Sequence, residues 1–266
     1  MNNATLSLLM TLALTSVGVQ ADDWDKIKAK GEIVIGVRDS SPPFSFYDKN
    51  RATVSGYDID FARYIASKLG LKPVFKTVDP ADRLPSLKEG RVDILIASLA
   101  KTRDREKEID FSLGYFVSTH KLVARKGRFK DLLQLDQMTI CVPKGSTNAG
   151  HLQEISQTVK VVQLPDYAEA FNAMKEGKCE AVSGPEATVQ GNLNKMANRN
   201  EFELADVPIA SEALAVGIRK GEKSLQKQIN DSLVEAETSG EAAKIFDRWF
   251  GANSSAPMPR TFKIVR

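Results

Sequence analysis

The sequence predicts an α/β protein of two similar lobes joined by two extended segments, and three observations carry that prediction. From Gly31 onward, short apolar, β-branched runs alternate with helix-length amphipathic segments, the pattern of helices layered on largely parallel sheet. The stretches Leu87-Lys88-Glu89-Gly90-Arg91-Val92-Asp93-Ile94 and Met174-Lys175-Glu176-Gly177-Lys178-Cys179-Glu180-Ala181 share one design: a helix end stopped by glycine, a basic residue, then a new strand. The length, 266 residues, accommodates one large domain or two lobes of ordinary size.

Taken in order, residues 6–19 form an apolar run broken by Thr, Ser and Gly, followed by Val19-Gln20-Ala21 and the polar Asp22-Asp23. A signal peptide over 1–21 is expected, although Met1-Asn2-Asn3 lacks the usual basic residue. The run is short and polar-interrupted against the roughly 20 apolar residues of a bilayer span. Strands are expected at 33–37, 74–77, 93–97, 121–124, 139–142, 160–163, 181–183 and 214–218. Helices are expected at 58–69, 81–88, 148–154, 167–176, 185–196, 225–238 and 240–250. In the first helix Ile59, Phe61, Ala62, Ile65, Ala66 and Leu69 recur at helical spacing. The repeated design divides the chain into lobe 1 (22–118 and 213–266) and lobe 2 (119–212), with crossings near 118–122 and 209–214 able to hinge.

A charge of +3 comes from 37 basic and 34 acidic residues that are interspersed, without the basic stripe of a nucleic-acid-binding protein. Cys141 and Cys179 form no CxxC pair and have no metal-site spacing with His120 and His151, so no metal and no cofactor is expected. An oxidising compartment permits one disulfide between them, and two buried free thiols are the equal alternative.

The segment from Gly56-Tyr57-Asp58-Ile59-Asp60 to Ala66 resembles the signature of the polar amino-acid-binding proteins of bacterial ABC transporters. The resemblance continues through 86–94, Thr102-Arg103-Asp104-Arg105-Glu106, Ile109-Asp110-Phe111-Ser112, Gly145-Ser146-Thr147, Ser239-Gly240-Glu241-Ala242 and Phe246-Asp247-Arg248-Trp249-Phe250. It implies a type II periplasmic binding protein, a monomer whose cleft closes over one small ligand. It also implies a membrane permease and ATPase as partners, and no catalysis. Dehydratases and murein-cleaving enzymes resemble the same family, but no catalytic constellation stands out here.

An amino acid in a closed cleft loses hydration at both its carboxylate and its ammonium, so each requires a partner. The family's carboxylate-gripping Arg matches Arg105, with Ser98 and the backbone at Ala100 beside it; a solvated salt bridge to Asp104 or Glu106 is the plainer alternative. Ser146 and Thr147 follow Gly145 at a probable helix start, a position suited to an anion and equally to simple capping. In the glutamate/aspartate-binding branch an Arg occupies a segment like Val37-Arg38-Asp39-Ser40-Ser41-Pro42-Pro43, and a second one matches Arg83. Arg38 and Arg83 are therefore expected to read a distal carboxylate and to penalise neutral side chains. Tyr167 matches a cleft-lining polar ring, or is a core aromatic. Where the family usually places an Asp for the ammonium this chain has Pro185; Glu186 is the candidate substitute, and an amine-free dicarboxylate is the alternative ligand.

Overall fold

The computed structural model describes residues 23–50 and 52–266; the expected signal peptide lies outside them. Strands are β1 (Glu32–Val37), β2 (Ser40–Ser41), β3 (Ser45–Asp48), β4 (Thr53–Ser55), β5 (Lys72–Thr77), β6 (Ile94–Leu95), β7 (Asp110–Arg125), β8 (Thr139–Pro143), β9 (Lys160–Leu164), β10 (Ala181–Pro185), β11 (Phe202–Leu204) and β12 (Ala210–Ile218). Helices are α1 (Asp23–Lys30), α2 (Tyr57–Lys68), α3 (Arg83–Lys88), α4 (Arg103–Glu108), α5 (Asn148–Ile155), α6 (Tyr167–Lys175), α7 (Glu186–Leu193), α8 (Lys223–Thr238) and α9 (Glu241–Phe250).

The main sheet runs β5-β1-β6-β12-β7-β10-β8-β9, with β11 beside β7, while β2-β3-β4 form a small antiparallel sheet. Each end of this order is a parallel unit: β1 pairs with β5 and β6, and β8 with β9 and β10. Between them β7 and β12 pair antiparallel from Ala210↔His120 to Ile218↔Asp110, two long strands shared by both ends. Separate apolar cores flank the two ends. One gathers Ile33, Ile35, Ile59, Phe61, Ile65, Leu233 and Phe250; the other gathers Val123, Phe171, Met174, Val182 and Val189. The fold is thus a two-lobed α/β architecture with a two-strand hinge and a cleft between the lobes.

The expected strand at 121–124 is only the tail of the 16-residue β7. Residues 110–120 bury polar side chains (Asp110, Ser112, Ser118, His120) and expose Val117, so their sequence lacks the apolar pattern that marks a strand. The expected helix at 81–88 begins as a 3-10 turn, Pro80–Asp82, before α3. The expected helix at 185–196 shortens to α7, because Pro185 still pairs with His120 as the last residue of β10. Cys141 and Cys179 form a disulfide with Cα atoms 5.8 Å apart, which decides between the two readings of the cysteines. The C-terminal segment returns to the first core: Ile264 is buried there, and Phe262 lies edge-on to Phe116 with ring centroids 5.2 Å apart.

Candidate functional site

The signature around Gly56 acts as a buttress for the cleft. Gly56 has φ 139°, and a Cβ there would fall 2.1 Å from the Phe44 carbonyl oxygen, so only glycine fits this turn. Two residues on, the fully buried Asp58 accepts from Tyr115 Oη (2.8 Å), Ser98 N (2.7 Å) and Ser98 Oγ (3.1 Å). These bonds hold Ser98 in a left-handed conformation, φ 49°, at the cleft wall. Burial pushes Asp58 up to about 6, against the opposing pull of its three hydrogen bonds and Arg83. Asp60, on the outer side of α2, accepts from Trp249 Nε1 at 2.8 Å and Arg248 Nη1 at 2.6 Å, tying α9 to the same helix.

Between the lobes lies a cleft of about 460 Å³ counted to its open mouth. Of the residues expected from sequence, Arg38, Arg83, Ser98, Ala100, Arg105, Ser146, Thr147 and Tyr167 all line it. Glu186 does not. It begins α7, where its carboxylate meets Lys121 Nζ at 2.9 Å, and it borders a separate recess with Ala256 and Met258. The turn from β10 into α7 directs it there; the carboxylate lining the cleft is Glu212 on β12, more than 25 residues further along.

Three guanidiniums enter this cleft, two of them almost fully buried: Arg38 is 3 % exposed and Arg83 5 %. Their partners are neutral. Arg83 donates to the carbonyls of Pro80 (3.1 Å), Ala97 (3.0 Å), Ser98 (3.3 Å) and Gly145 (3.1 Å). Arg105 donates to those of Ala100 (2.9 Å) and Gly145 (3.0 Å), and Arg38 to Ser40 Oγ (2.8 Å), with its buried Nε unpartnered. Burial pulls all three below their ordinary values, and Arg83 falls furthest because Arg105 and Arg38 add repulsion. Buried cations whose only partners are neutral oxygens favour the arrival of an anion.

Gly145 is where the lobes meet. Its φ is 76°, and a Cβ there would sit 2.7 Å from Ala81 Cα and 2.9 Å from Pro80 O. The turn after β8 therefore rests directly on the turn before α3, with one carbonyl shared by Arg83 and Arg105.

The expected Thr147 and residues the sequence did not single out as ligand-binding, His120, His151 and Asn148, gather around Glu212. Its Oε2 lies 2.9 Å from His120 Nε2 and 2.8 Å from Thr147 Oγ1, and its Oε1 lies 2.9 Å from His151 Nε2. Burial works to raise Glu212, but His120, His151 and Thr147 hold its carboxyl well below the usual range; His151 is raised in turn by Glu212. Asn148 bridges this group to the rest of the wall, joining His120 Nδ1 through Oδ1, and Ser146 Oγ and Tyr167 Oη, each at 3.2 Å, through Nδ2. The Tyr167 ring lies over Gly184, where a Cβ would meet its hydroxyl at 2.5 Å, and burial pushes the phenol up to about 12.

A hinged pair of lobes that lines one cleft with polar side chains from both sides defines a solute-binding protein. Residues 33–252 match the family model of bacterial extracellular solute-binding proteins, family 3, and the chain belongs to that family. It is a binding protein rather than an enzyme. The ABC transporter glutamine-binding protein of Bacillus subtilis is 31% identical over 229 residues, covering 84% of this chain and 82% of that protein. The glutamate/aspartate import solute-binding protein of Escherichia coli is 29% identical over 262 residues, covering 91% and 86%. An ancestral arginine-binding protein solved with glutamine superposes with a TM-score of 0.79 at 33% identity, covering 83% of this chain and 98% of that one. The relatives thus span several ligand classes. Among the described residues, no helix is long and apolar enough to cross a membrane.

Proposed function

We propose that this protein is the periplasmic receptor of an ABC importer for an acidic amino acid, glutamate or aspartate. One observation carries the reading: three guanidiniums, two of them buried, converge on the cleft with neutral partners. Arg105, with Ser98 and the Ala100 backbone, grips the α-carboxylate, while Arg38 and Arg83 read the distal one. Ser146, Thr147 and Tyr167 complete the wall. A signal peptide at 1–21 directs export, lobe 1 comprises 22–118 and 213–266, lobe 2 comprises 119–212, and the monomer presents its closed form to the permease and ATPase. Relatives named for glutamate/aspartate import support this reading, as does the charge of the cleft.

A second reading, an amine-free dicarboxylate, is favoured by one feature. The cleft's carboxylate, Glu212, already meets His120, His151 and Thr147, and Pro185 stands where the family's Asp would take an ammonium. Calorimetric titration of ligand-stripped protein with L-glutamate, L-aspartate, L-glutamine, 2-oxoglutarate and succinate separates the two. Tight binding of L-glutamate or L-aspartate alone supports the first, preference for the amine-free acids supports the second, and preference for glutamine refutes both.

A further inference from the structure

We propose that His120, His151 and Glu212 form a binding site for a divalent transition-metal ion of the zinc class at the inner wall of the cleft. The chain contains two histidines in 266 residues, and both reach the same carboxylate. They come from separate elements, His120 from β7, His151 from α5 and Glu212 from β12, so the convergence is tertiary rather than an accident of spacing. One ligating atom from each lies within 4.8 Å of the others.

The hydrogen bonds around His120 prepare it as a ligand. Ser146 Oγ spends its proton on the Pro143 carbonyl at 2.6 Å, so towards Asn148 it can only accept. That fixes the Asn148 amide with Nδ2 toward Ser146 and Oδ1 toward the imidazole, where Oδ1 accepts the Nδ1 proton. In the neutral ring Nε2 then carries the lone pair and lies 2.9 Å from Glu212 Oε2. Nε2 is buried, and the contact lacks hydrogen-bond alignment. A ring nitrogen and a carboxylate oxygen this close are brought together by a cation, either a proton or a metal ion. An imidazole whose Nδ1–H is held by a carbonyl, with Nε2 left free, is the usual outer-shell arrangement of a metal-binding histidine. Thr147 Oγ1 donates to the carboxylate and orients it in the same way.

The ring positions agree. Two imidazoles bound through nitrogen at about 2.1 Å to a tetrahedral ion place their centroids about 5 Å apart; those of His120 and His151 are 5.4 Å apart, with planes at 75°. Each imidazole nitrogen lies 2.9 Å from a different oxygen of Glu212, so the ligand atoms, within 4.8 Å of one another, draw together as the ion binds. Two imidazoles with one carboxylate suit zinc-class ions and not magnesium or calcium, which take oxygen ligands. His120 and Glu212 line the cleft, so the fourth coordination position opens toward bound solute. The three guanidiniums of this space repel a divalent ion, so an anionic solute that neutralises them strengthens metal binding, and the ion strengthens the solute's in return. That coupling rests on the proposed acidic ligand; the metal site itself does not.

The test is calorimetric titration of tag-free, chelator-stripped protein with Zn²⁺ and with Mg²⁺, for wild type, His151→Gln and Glu212→Gln, with circular dichroism as the folding control. The expected result is one Zn²⁺ per chain and no response to Mg²⁺. Loss of an outer-shell partner costs about 10–100-fold in metal affinity, so loss of a ligand in folded His151→Gln is expected to cost ~100-fold or more. No saturable Zn²⁺ binding below ~1 mM, or a loss under about tenfold in both variants, overturns the proposal; binding of an acidic solute without metal leaves the receptor reading standing.

Discussion

Gly145→Ala separates closure of the cleft from stability of the fold. In the closed arrangement the added methyl sits 2.7 Å from Ala81 Cα and 2.9 Å from Ala81 N, both backbone atoms that cannot rotate aside. The turn must withdraw, and its carbonyl leaves Arg83 Nη2 (3.1 Å) and Arg105 Nη2 (3.0 Å). Hydrogen bonds to charged groups are each worth about 1.5–3 kcal/mol. Partial compensation by solvent leaves about 3 kcal/mol lost from the closed state, or roughly 100-fold in Kd. Alanine in left-handed geometry costs a further ~1 kcal/mol in open and closed forms alike, and so lowers Tm without touching Kd. Gly177→Ala supplies the control, since its φ is also 76° but a Cβ there meets nothing within 4 Å. Calorimetry on both variants, with small-angle scattering at saturating ligand, measures affinity and closure. Binding by Gly145→Ala within about threefold of wild type, or an equal loss in Gly177→Ala, refutes the reasoning.

Arg105→Ala is expected to abolish binding of every carboxylate ligand, and Arg38→Ala to weaken dicarboxylates selectively by about 2–5 kcal/mol; unchanged dicarboxylate affinity in Arg38→Ala refutes its assignment to the distal end. Removing the disulfide with Cys141→Ser and Cys179→Ser together frees a loop of sequence separation 38 and should cost about 4 kcal/mol in the chain-entropy picture, read by urea unfolding. Asp58 provides a pH signature. Its folded value of about 6 lies above the unfolded 3.8, so the folded state keeps a proton that the unfolded chain releases. Its contribution is therefore present below about pH 4 and lost as pH rises through about 6, some 3 kcal/mol in all. Asp58→Asn cannot titrate, so its stability difference from wild type should change by that amount between pH 4 and 7. A constant difference across the range refutes the buried-acid account.

Much of the cleft was legible because local sequence places it. Arg38 follows directly on β1 before a proline turn, and Arg83 and Arg105 sit in the first turns of short helices, so each is fixed by its neighbours in the chain. His120, Asn148 and Glu212 were not legible. Glu212 meets Thr147 across 65 residues and His151 across 61, and no spacing encodes contacts of that reach. Glu186 was read from its adjacency to Pro185, but the chain leaves β10 there and its side chain turns to Lys121. Asp58 was visible as part of a signature, while its work, holding Ser98 from behind, needed three dimensions. Strand β7 escaped for a different reason, since it buries polar residues such as Ser112, Ser118 and His120 and exposes Val117, the reverse of the apolar pattern that announces a strand.

The return of the C-terminal segment to the first core bears on the order in which the molecule can assemble. Synthesis proceeds from the amino end, so the stretch bearing the Cys141–Cys179 bridge emerges whole while the core that includes Ile33 and Phe61 still lacks Leu233, Phe250 and Ile264. The central lobe can mature first, as a finished insert within an unfinished host. The first core is filled only when Phe262 and Ile264 arrive, so a chain truncated near its end leaves that lobe's packing incomplete. The residues made last thus finish the lobe that the residues made first begin.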